Sequence, residues 1–178
     1  NPINPQQQVK VMVQQNYRWD NAVRNIQPSF LRGYIYEYNG EQDCLFPGGK
    51  EYRWADLRSF RFESERVQKI NKNNQPNDVY LKPDGERRGL IYTYFKDLNG
   101  WYNISSTENN NPFWQLDYAN VYFTYIPTNN QPYLGKDLFL SGAIMNNTLN
   151  DSSKMIFNNE KGLYEKTLLL IQGYYSYT

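Results

Sequence analysis

The sequence predicts an all-β protein made of two antiparallel β-sandwich domains of the immunoglobulin-like or early-set kind, the second of them truncated. The first observation is composition, because 17 Tyr, 9 Phe and 4 Trp favour strands, whereas 23 Asn favour the turns between strands. The second is patterning, since short alternating segments recur about every 8–14 residues with turn signals between them, as in sandwiches. The third is that apolar residues show no helical period, so helix is expected only in a turn or two near 19–24.

Composition also excludes several classes of function. The 178 residues carry 19 basic and 18 acidic side chains, a balance that gives no general attraction to nucleic acid. Histidine is absent and Cys44 is the single cysteine, which excludes His-based catalysis, His-ligated zinc and an internal disulfide. No apolar run is long enough for a transmembrane helix. We therefore expect no enzyme activity, no cofactor and no metal site.

Residues 1–111 are predicted to form the first domain. A Pro- and Gln-rich segment opens the chain at 1–8, and residues 16–30 and 83–86 are predicted to be a loop and a turn. Alternation or short apolar runs predict strands at 9–13, 33–38, 54–62, 67–70, 79–81, 90–95 and 101–104.

The best-defined hairpin is predicted to join 90–95 to 101–104. Asn99-Gly100 supplies the positive φ angles of a tight turn, so Gly100 is expected at positive φ. Strand 90–95 is apolar on both faces, which is typical of a central strand. With a two-residue turn, Trp101 is expected to face the core.

Residues 112–178 are predicted to form the second domain, after the polar run 105–112. In strand 119–126, the residues Ala119, Val121, Phe123 and Tyr125 share one face. Strands are also expected at 137–140, 154–157, 163–170 and 174–177, with 154–157 paired to 163–170 across a turn at Gly162.

The candidate binding residues are the four tryptophans, Trp19, Trp54, Trp101 and Trp114. Exposed aromatic rings concentrate at interfaces and also stack on sugars and peptides. The alternative is that these rings lie in the core or in cross-strand pairs, as most of the 30 aromatic residues must. Asp residues near turns are expected to cap their own backbone, and the 97–100 turn lacks the later ligands of a calcium loop.

Several short motifs occur together in a distinctive order. They are Gly49-Lys50-Glu51-Tyr52-Arg53 with Asp56, Asp97-Leu98-Asn99-Gly100, Asp117-Tyr118 and Gln172-Gly173-Tyr174-Tyr175. This ordered set resembles the plug protein of the type IX secretion system, a family of Bacteroidota outer-membrane secretion components. The resemblance covers nearly the whole chain and implies the middle and C-terminal region of such a protein, without the family's N-terminal domain.

The resemblance implies a periplasmic, outer-membrane-associated part that closes a secretion channel. The expected function is non-enzymatic docking on the periplasmic side of an outer-membrane translocon barrel, which is the implied partner. The alternative is a glycan-binding accessory β-sandwich module. Residues 137–177 resemble an early-set module of that kind, but its sugar-stacking Trp is replaced by the Asn146-Asn147-Thr148 segment. A glycan binder needs coplanar exposed rings, whereas a docking protein needs a broader patch.

Overall fold

The computed structural model describes residues 3–40, 44–46, 52–87, 89–91, 97–111 and 113–178. Within these ranges the chain forms thirteen strands: β1 Val11–Val13, β2 Val23–Ile26, β3 Phe30–Arg32, β4 Ile35–Glu37, β5 Arg53–Asp56, β6 Val67–Asn71, β7 Asn77–Leu81, β8 Asp84–Gly85, β9 Tyr102–Ile104, β10 Tyr118–Ile126, β11 Ile156–Asn158, β12 Leu163–Ile171 and β13 Gly173–Tyr177. Helical structure in the same ranges is limited to α1, Pro5–Gln8, and a 3-10 turn, Ala143–Met145. The all-β prediction is confirmed, although the helical turns lie elsewhere than at 19–24.

The contacts divide the chain into two compact units, Asn1–Lys50 and Glu51–Thr178. This division differs from the predicted boundary between 111 and 112, which falls inside the second unit. The reason is strand pairing, because β13 lies between β5 and β9 in one sheet and so joins the C-terminal segment to two strands from before that boundary. The polar run 105–112 is not a linker between domains, because the strands on either side of it, β9 and β10, belong to the same unit.

The first unit contains two short antiparallel pairs, β1 with β2 and β3 with β4. The strand predicted at 9–13 is confirmed as β1, but the loop predicted at 16–30 contains β2. Alternation missed β2 because Asn25 takes a positive φ of 60° in the middle of it. The strand predicted at 33–38 is shortened to β4, because Gly33 has a φ of 61° and lies in the turn between β3 and β4.

The larger sheet of the second unit has the order β11-β12-β10-β7-β6, with β8 beside the end of β10. β10 and β12 form a long antiparallel pair from Tyr118 opposite Ile171 to Tyr125 opposite Tyr164. The predicted hairpin of β11 and β12 is confirmed, with Gly162 at a φ of 66°. Two pairings differ from an antiparallel sandwich, since β7 and β8 both run parallel to β10. The turn predicted at 83–86 contains β8 instead.

The core lies between the larger sheet and the smaller sheet, β5-β13-β9. As predicted, Ala119, Val121 and Phe123 share the buried face of β10. From the smaller sheet, Tyr175 and Tyr177 point into the same core, and the Tyr177 ring meets Phe123 edge-on at 5.0 Å. Burial of alternate residues on two facing sheets is the packing expected of a sandwich.

A buried ionic cluster joins the two sheets at β8. Asp84 Oδ1 lies 2.9 Å from Arg53 Nε of β5 and 2.5 Å from an Arg66 amino group, just before β6. The Tyr177 hydroxyl of β13 donates to Asp84 Oδ2 at 2.9 Å. Burial, and then the Asp84 charge, raise the pKa of this hydroxyl well above its ordinary value. One carboxylate therefore holds two arginines and one tyrosine from three other segments.

The predicted hairpin of 90–104 lies partly within the described residues. Asn99 and Gly100 have φ angles of 51° and 81°, and the Trp101 N–H donates to the Leu98 carbonyl at 2.9 Å, so the tight turn is confirmed. Residues 92–95 of its predicted first strand lie outside the described residues. The described Leu90 and Ile91 are exposed and belong to no strand, and the return strand β9 pairs with β13.

Candidate interaction surface

The four candidate tryptophans lie in different settings. Trp19 of the first unit is exposed beside Arg24, whose guanidinium carbon lies 5.7 Å from its ring. Trp54 of β5 is partly buried and has the Arg66 guanidinium over its ring at 5.8 Å. The structure brings Trp54 and Trp101 onto one row of the smaller sheet, on either side of Ser176. Trp114 stands apart, in the loop before β10.

Trp101 does not face the core, so that prediction is wrong. Its side chain is 47% exposed, and its ring stacks on Tyr102 at 5.8 Å. The physical reason is that Trp101 lies in the turn just before β9, so the alternation of strand faces from which the prediction was made does not reach it.

A strongly exposed aromatic pair lies in the loop that leads into β10. We call residues 109–116 the aromatic loop. Within it, Phe113 is 65% exposed and Trp114 is 85% exposed. The Asn109 side-chain amide donates to the Gln115 carbonyl and closes the base of the loop. Trp114 was a candidate from the sequence and Phe113 was not, although two adjacent aromatic residues inside an Asn-rich loop are a usable signal.

Two further apolar side chains are exposed where the aromatic loop meets the larger sheet. Tyr118, the first residue of β10, is 53% exposed, and Leu169 of β12 is 59% exposed. Tyr118 lies opposite Ile171, so Leu169 is its diagonal neighbour on the outer face of the sheet. Together, Phe113, Trp114, Tyr118 and Leu169 are named the apolar patch. Sequence analysis missed Tyr118 and Leu169 because exposure of a strand residue depends on which elements cover its face.

A buried glutamine fixes the end of the aromatic loop. Gln172, between β12 and β13, is fully buried. Its Oε1 accepts the Asp117 N–H at 3.1 Å, and its own backbone N–H donates to the Asp117 carbonyl at 2.9 Å. Its Nε2 donates to Glu108 Oε2 at 2.9 Å. One side chain thus bonds to the residues on both sides of the loop.

Glu108 in turn fixes the start of the loop to the segment after β5. Its Oε1 accepts hydrogen bonds from the Ser59 hydroxyl at 2.6 Å and from the backbone N–H groups of Phe60 and Arg61 at 2.8 and 2.6 Å. Burial is the largest single effect on this carboxyl and raises its pKa. The hydrogen bonds together have the larger effect, with that from Ser59 the strongest among them, so the pKa lies below its ordinary value. Glu108 is therefore a charged structural anchor.

A shallow cleft of about 400 Å³ adjoins Glu108. In it, the Arg58 guanidinium is held by Asp56 at 2.6 Å and lies 6.0 Å from the Tyr174 ring, so its charge is already paired. Among the residues that the structure describes, no three acidic or cysteine side chains are close enough to share a metal ion. The described part of the chain also holds no helix with the length and apolarity needed to cross a membrane.

The outer face of the larger sheet carries a second aromatic pair, Tyr80 and Tyr122. Their rings are stacked 4.5 Å apart with only 13° between their planes. The Tyr122 hydroxyl donates to the buried Asp78, which also accepts from Asn74 and Asn120. Because each ring covers one face of the other, the pair does not present two coplanar rings side by side.

Comparisons with known proteins give one informative likeness. A scan against models of protein families and a search of curated proteins found no match. Among solved structures, the chain is similar to the crystal structure of a hypothetical protein from Parabacteroides merdae ATCC 43184, with 34% sequence identity and a TM-score of 0.80. The match covers 98% of this chain and 43% of that one, so this chain spans less than half the length of its neighbour.

Proposed function

We propose that this chain is part of a non-enzymatic interaction protein that docks on the periplasmic side of an outer-membrane translocon barrel and closes it, like the plug of the type IX secretion system. The observation that carries docking is the apolar patch, whose four large apolar side chains are exposed, two of them in a loop whose ends are held by buried hydrogen bonds. Interfaces take most of their energy from a few such aromatic anchors. A rigid β domain that blocks a channel needs no catalytic residue, since the mechanism is steric.

The choice of partner and compartment rests on the resemblance of the sequence motifs. One solved structure similar to this chain comes from Parabacteroides, a genus of the Bacteroidota, which is the phylum that the resemblance implies. Periplasmic location at the outer membrane follows from the same resemblance. These statements concern the whole protein, of which this chain is proposed to be the docking part.

A glycan-binding module is the second candidate, favoured by the row that holds Trp54 and Trp101. The two residues flank Ser176, Trp54 from β5 and Trp101 from just before β9, which separates their backbones by roughly 10 Å, two strand spacings. Against this candidate, the Trp101 ring stacks on Tyr102 and Arg66 lies over the Trp54 ring. Both rings therefore already have a partner on one side.

Site-directed cross-linking in the native outer membrane tests the docking proposal. A photoreactive residue replaces Gln115, beside Trp114, in the full-length protein, and Leu134, an exposed position on a different loop, is the matched control site. We expect the Gln115 probe to cross-link to the translocon barrel much more strongly than the Leu134 probe. Trp114→Ala should weaken co-purification of the barrel, whereas Leu134→Ala should not. Equal cross-linking from both sites would contradict docking through the apolar patch.

A binding assay on immobilised polysaccharides separates the second candidate from the first. Docking predicts no retention of the protein on these polysaccharides. Retention that is lost in Trp54→Ala and Trp101→Ala, but kept in Trp114→Ala, would instead support a glycan module.

A further inference from the structure

Gln172 and Glu108 connect both ends of the aromatic loop to the core. Asp117, just after the loop, exchanges two hydrogen bonds with Gln172, one through the side chain and one through the backbone. Glu108, just before the loop, accepts from the Gln172 amide. The span between Glu108 and Asp117 is thereby fixed by one buried side chain. We call Gln172 and Glu108 the clamp.

The hydrogen bonds of the clamp require one amide side chain in contact with one carboxylate. At position 172 the side chain must accept the Asp117 N–H and donate to Glu108, and Gln does both. Glutamate there would place two carboxylates in contact, and leucine would leave the Asp117 N–H without its acceptor. A buried polar group that loses its hydrogen-bond partner destabilises the fold. Changing either Gln172 or Glu108 alone should therefore disrupt the pair.

The clamp also reaches the rest of the fold. The second oxygen of Glu108 accepts from Ser59, Phe60 and Arg61, which follow β5. The aromatic loop is thus tied to the smaller sheet through Glu108 and to the start of β10 through Asp117. A loop held in this way loses less conformational entropy when it binds than a free loop of the same sequence does.

We propose that Gln172 and Glu108 are positioning residues, which hold Phe113 and Trp114 in the conformation that binds the partner before the partner arrives. This inference rests on the proposed docking function and goes beyond it, since it assigns a role in recognition to two residues outside the apolar patch. In this role, the Gln-Gly motif after β12 fixes the conformation of the aromatic loop through the side chain of Gln172.

Exchanging the two residues tests the clamp while keeping its chemistry. Gln172→Glu and Glu108→Gln each break the donor–acceptor match, whereas the double exchange Glu108→Gln/Gln172→Glu restores a carboxylate facing an amide. Asn109→Ala opens the base of the loop at a half-buried position outside the core. Gln68→Glu, on the exposed side of β6, is the control for adding one charge.

The loop is first observed in the full-length protein without partner. Hydrogen exchange of the 109–117 amides and the fluorine NMR signal of Trp114, labelled with fluorotryptophan, report loop order. We expect each single clamp variant and Asn109→Ala to accelerate amide exchange by about tenfold or more. The double exchange should bring it back to within about threefold of the parent, and Gln68→Glu should leave it unchanged.

Binding is then measured on outer-membrane vesicles prepared from a Bacteroidota bacterium. The single clamp variants and Asn109→Ala should bind about tenfold more weakly, with recovery in the double exchange. If they loosen the loop but bind as the parent does, the positioning role is wrong and docking stands. If the parent binds and Phe113→Ala/Trp114→Ala binds equally well, docking through the patch is wrong. If the parent itself does not bind, the docking function fails, and the inference fails with it. An unchanged loop in all variants overturns the clamp itself.

Discussion

Two glycines of the second unit are required for different physical reasons. Gly100 combines a φ of 81° with a close neighbour, because a Cβ there would lie 2.5 Å from Tyr52 Cε1. Gly173 is limited by space, since a Cβ there would lie 2.8 Å from the Asn103 carbonyl oxygen of the adjacent strand. The close approach of β13 and β9 at Gly173 explains why the residue after Gln172 has no side chain.

Gly173→Ala should therefore destabilise the protein by about 1–3 kcal/mol through overpacking against backbone. The measurement is the free energy of unfolding from urea denaturation. Gly85→Ala is the matched control, because a Cβ at Gly85 would have its nearest neighbour at an ordinary 3.9 Å. Equal effects of the two substitutions would show that β13 and β9 are not so close.

Trp101→Ala should lower the free energy of unfolding by about 1–2 kcal/mol, since the side chain is half-exposed and loses mainly its stacking on Tyr102. Phe123→Ala, which removes a ring buried against Tyr177, should cost about 3–5 kcal/mol in the same denaturation experiment. A loss at Trp101 as large as that at Phe123 would mean that Trp101 belongs to the core after all.

The stability that Glu108 supplies should depend on pH. Its pKa in the folded protein is below the ordinary value of 4.5, so its contribution is present above that value and is lost as the pH falls through the folded pKa. Glu108→Gln should therefore destabilise the protein more at pH 7 than at about pH 3. Urea denaturation at both pH values measures this, with the exposed Glu63→Gln as the control for loss of a negative charge. A larger effect at the acidic pH would contradict the anchoring role.

At the scale of elements, β8 has two residues but joins both sheets. Its Asp84 contacts Arg53 of β5, Arg66 before β6 and Tyr177 of β13. All three charged side chains are mostly buried, so removing the carboxylate leaves two arginines without their counter-charge. Removing one partner of a buried ion pair destabilises a protein by more than the pair itself contributes, because the other charge stays buried without its counter-charge.

Asp84→Ala should thus reduce the free energy of unfolding by about 3–5 kcal/mol. Asp137→Ala is the control, because Asp137 and its partner Lys154 are both largely exposed and their ion pair should contribute about 0–1 kcal/mol. Thermal or chemical denaturation measures both. Similar small losses for the two variants would indicate that water reaches the Asp84 cluster.

The strands that sequence analysis found are those whose alternation is regular. β10 was predicted with its buried face and β12 with its hairpin partner β11, and Asn99-Gly100 was identified as a turn from local backbone preferences alone. β2 was missed because it is short and interrupted by Asn25, and β8 because its two residues resemble a turn. The parallel pairing of β7 with β10 and the central place of β13 could not be predicted, since both depend on contacts between distant segments.

Contacts between distant segments also decide which candidate residues are exposed, so the candidate surface could be predicted only in part. Aromatic identity made Trp54 and Trp114 equal candidates, but could not tell that Trp54 is partly buried and Trp114 exposed, or that Leu169 is exposed. Gln172 had a signal in the sequence, the Gln-Gly motif, whose physical meaning became visible only with its two partners. Burial and hydrogen-bond networks are properties of the assembled sheets and not of local patterns.

At the scale of the whole molecule, the division after Lys50 makes a strong prediction. Residues 51–178 expressed alone should keep a cooperative thermal transition within about 5 °C of the parent chain, because both sheets of the sandwich lie within them. Residues 112–178 alone should not fold, since they lack β5, β7 and β9. Circular dichroism melting of the two fragments measures this. A cooperative transition for 112–178 would restore the boundary expected from the sequence.

The central position of β13 has a consequence for the order of events during protein synthesis. Tyr175 pairs with Ala55, which the ribosome completes 120 residues earlier. Until β13 leaves the ribosome, β5 and β9 lack the strand that lies between them in the sheet. The side chains of Ala55 and Leu57, which are fully buried in the folded protein, are not yet covered by it. Such late, long-range pairing slows folding and leaves nascent strands open to wrong partners. These strands are therefore expected to need protection by chaperones until β13 has been made.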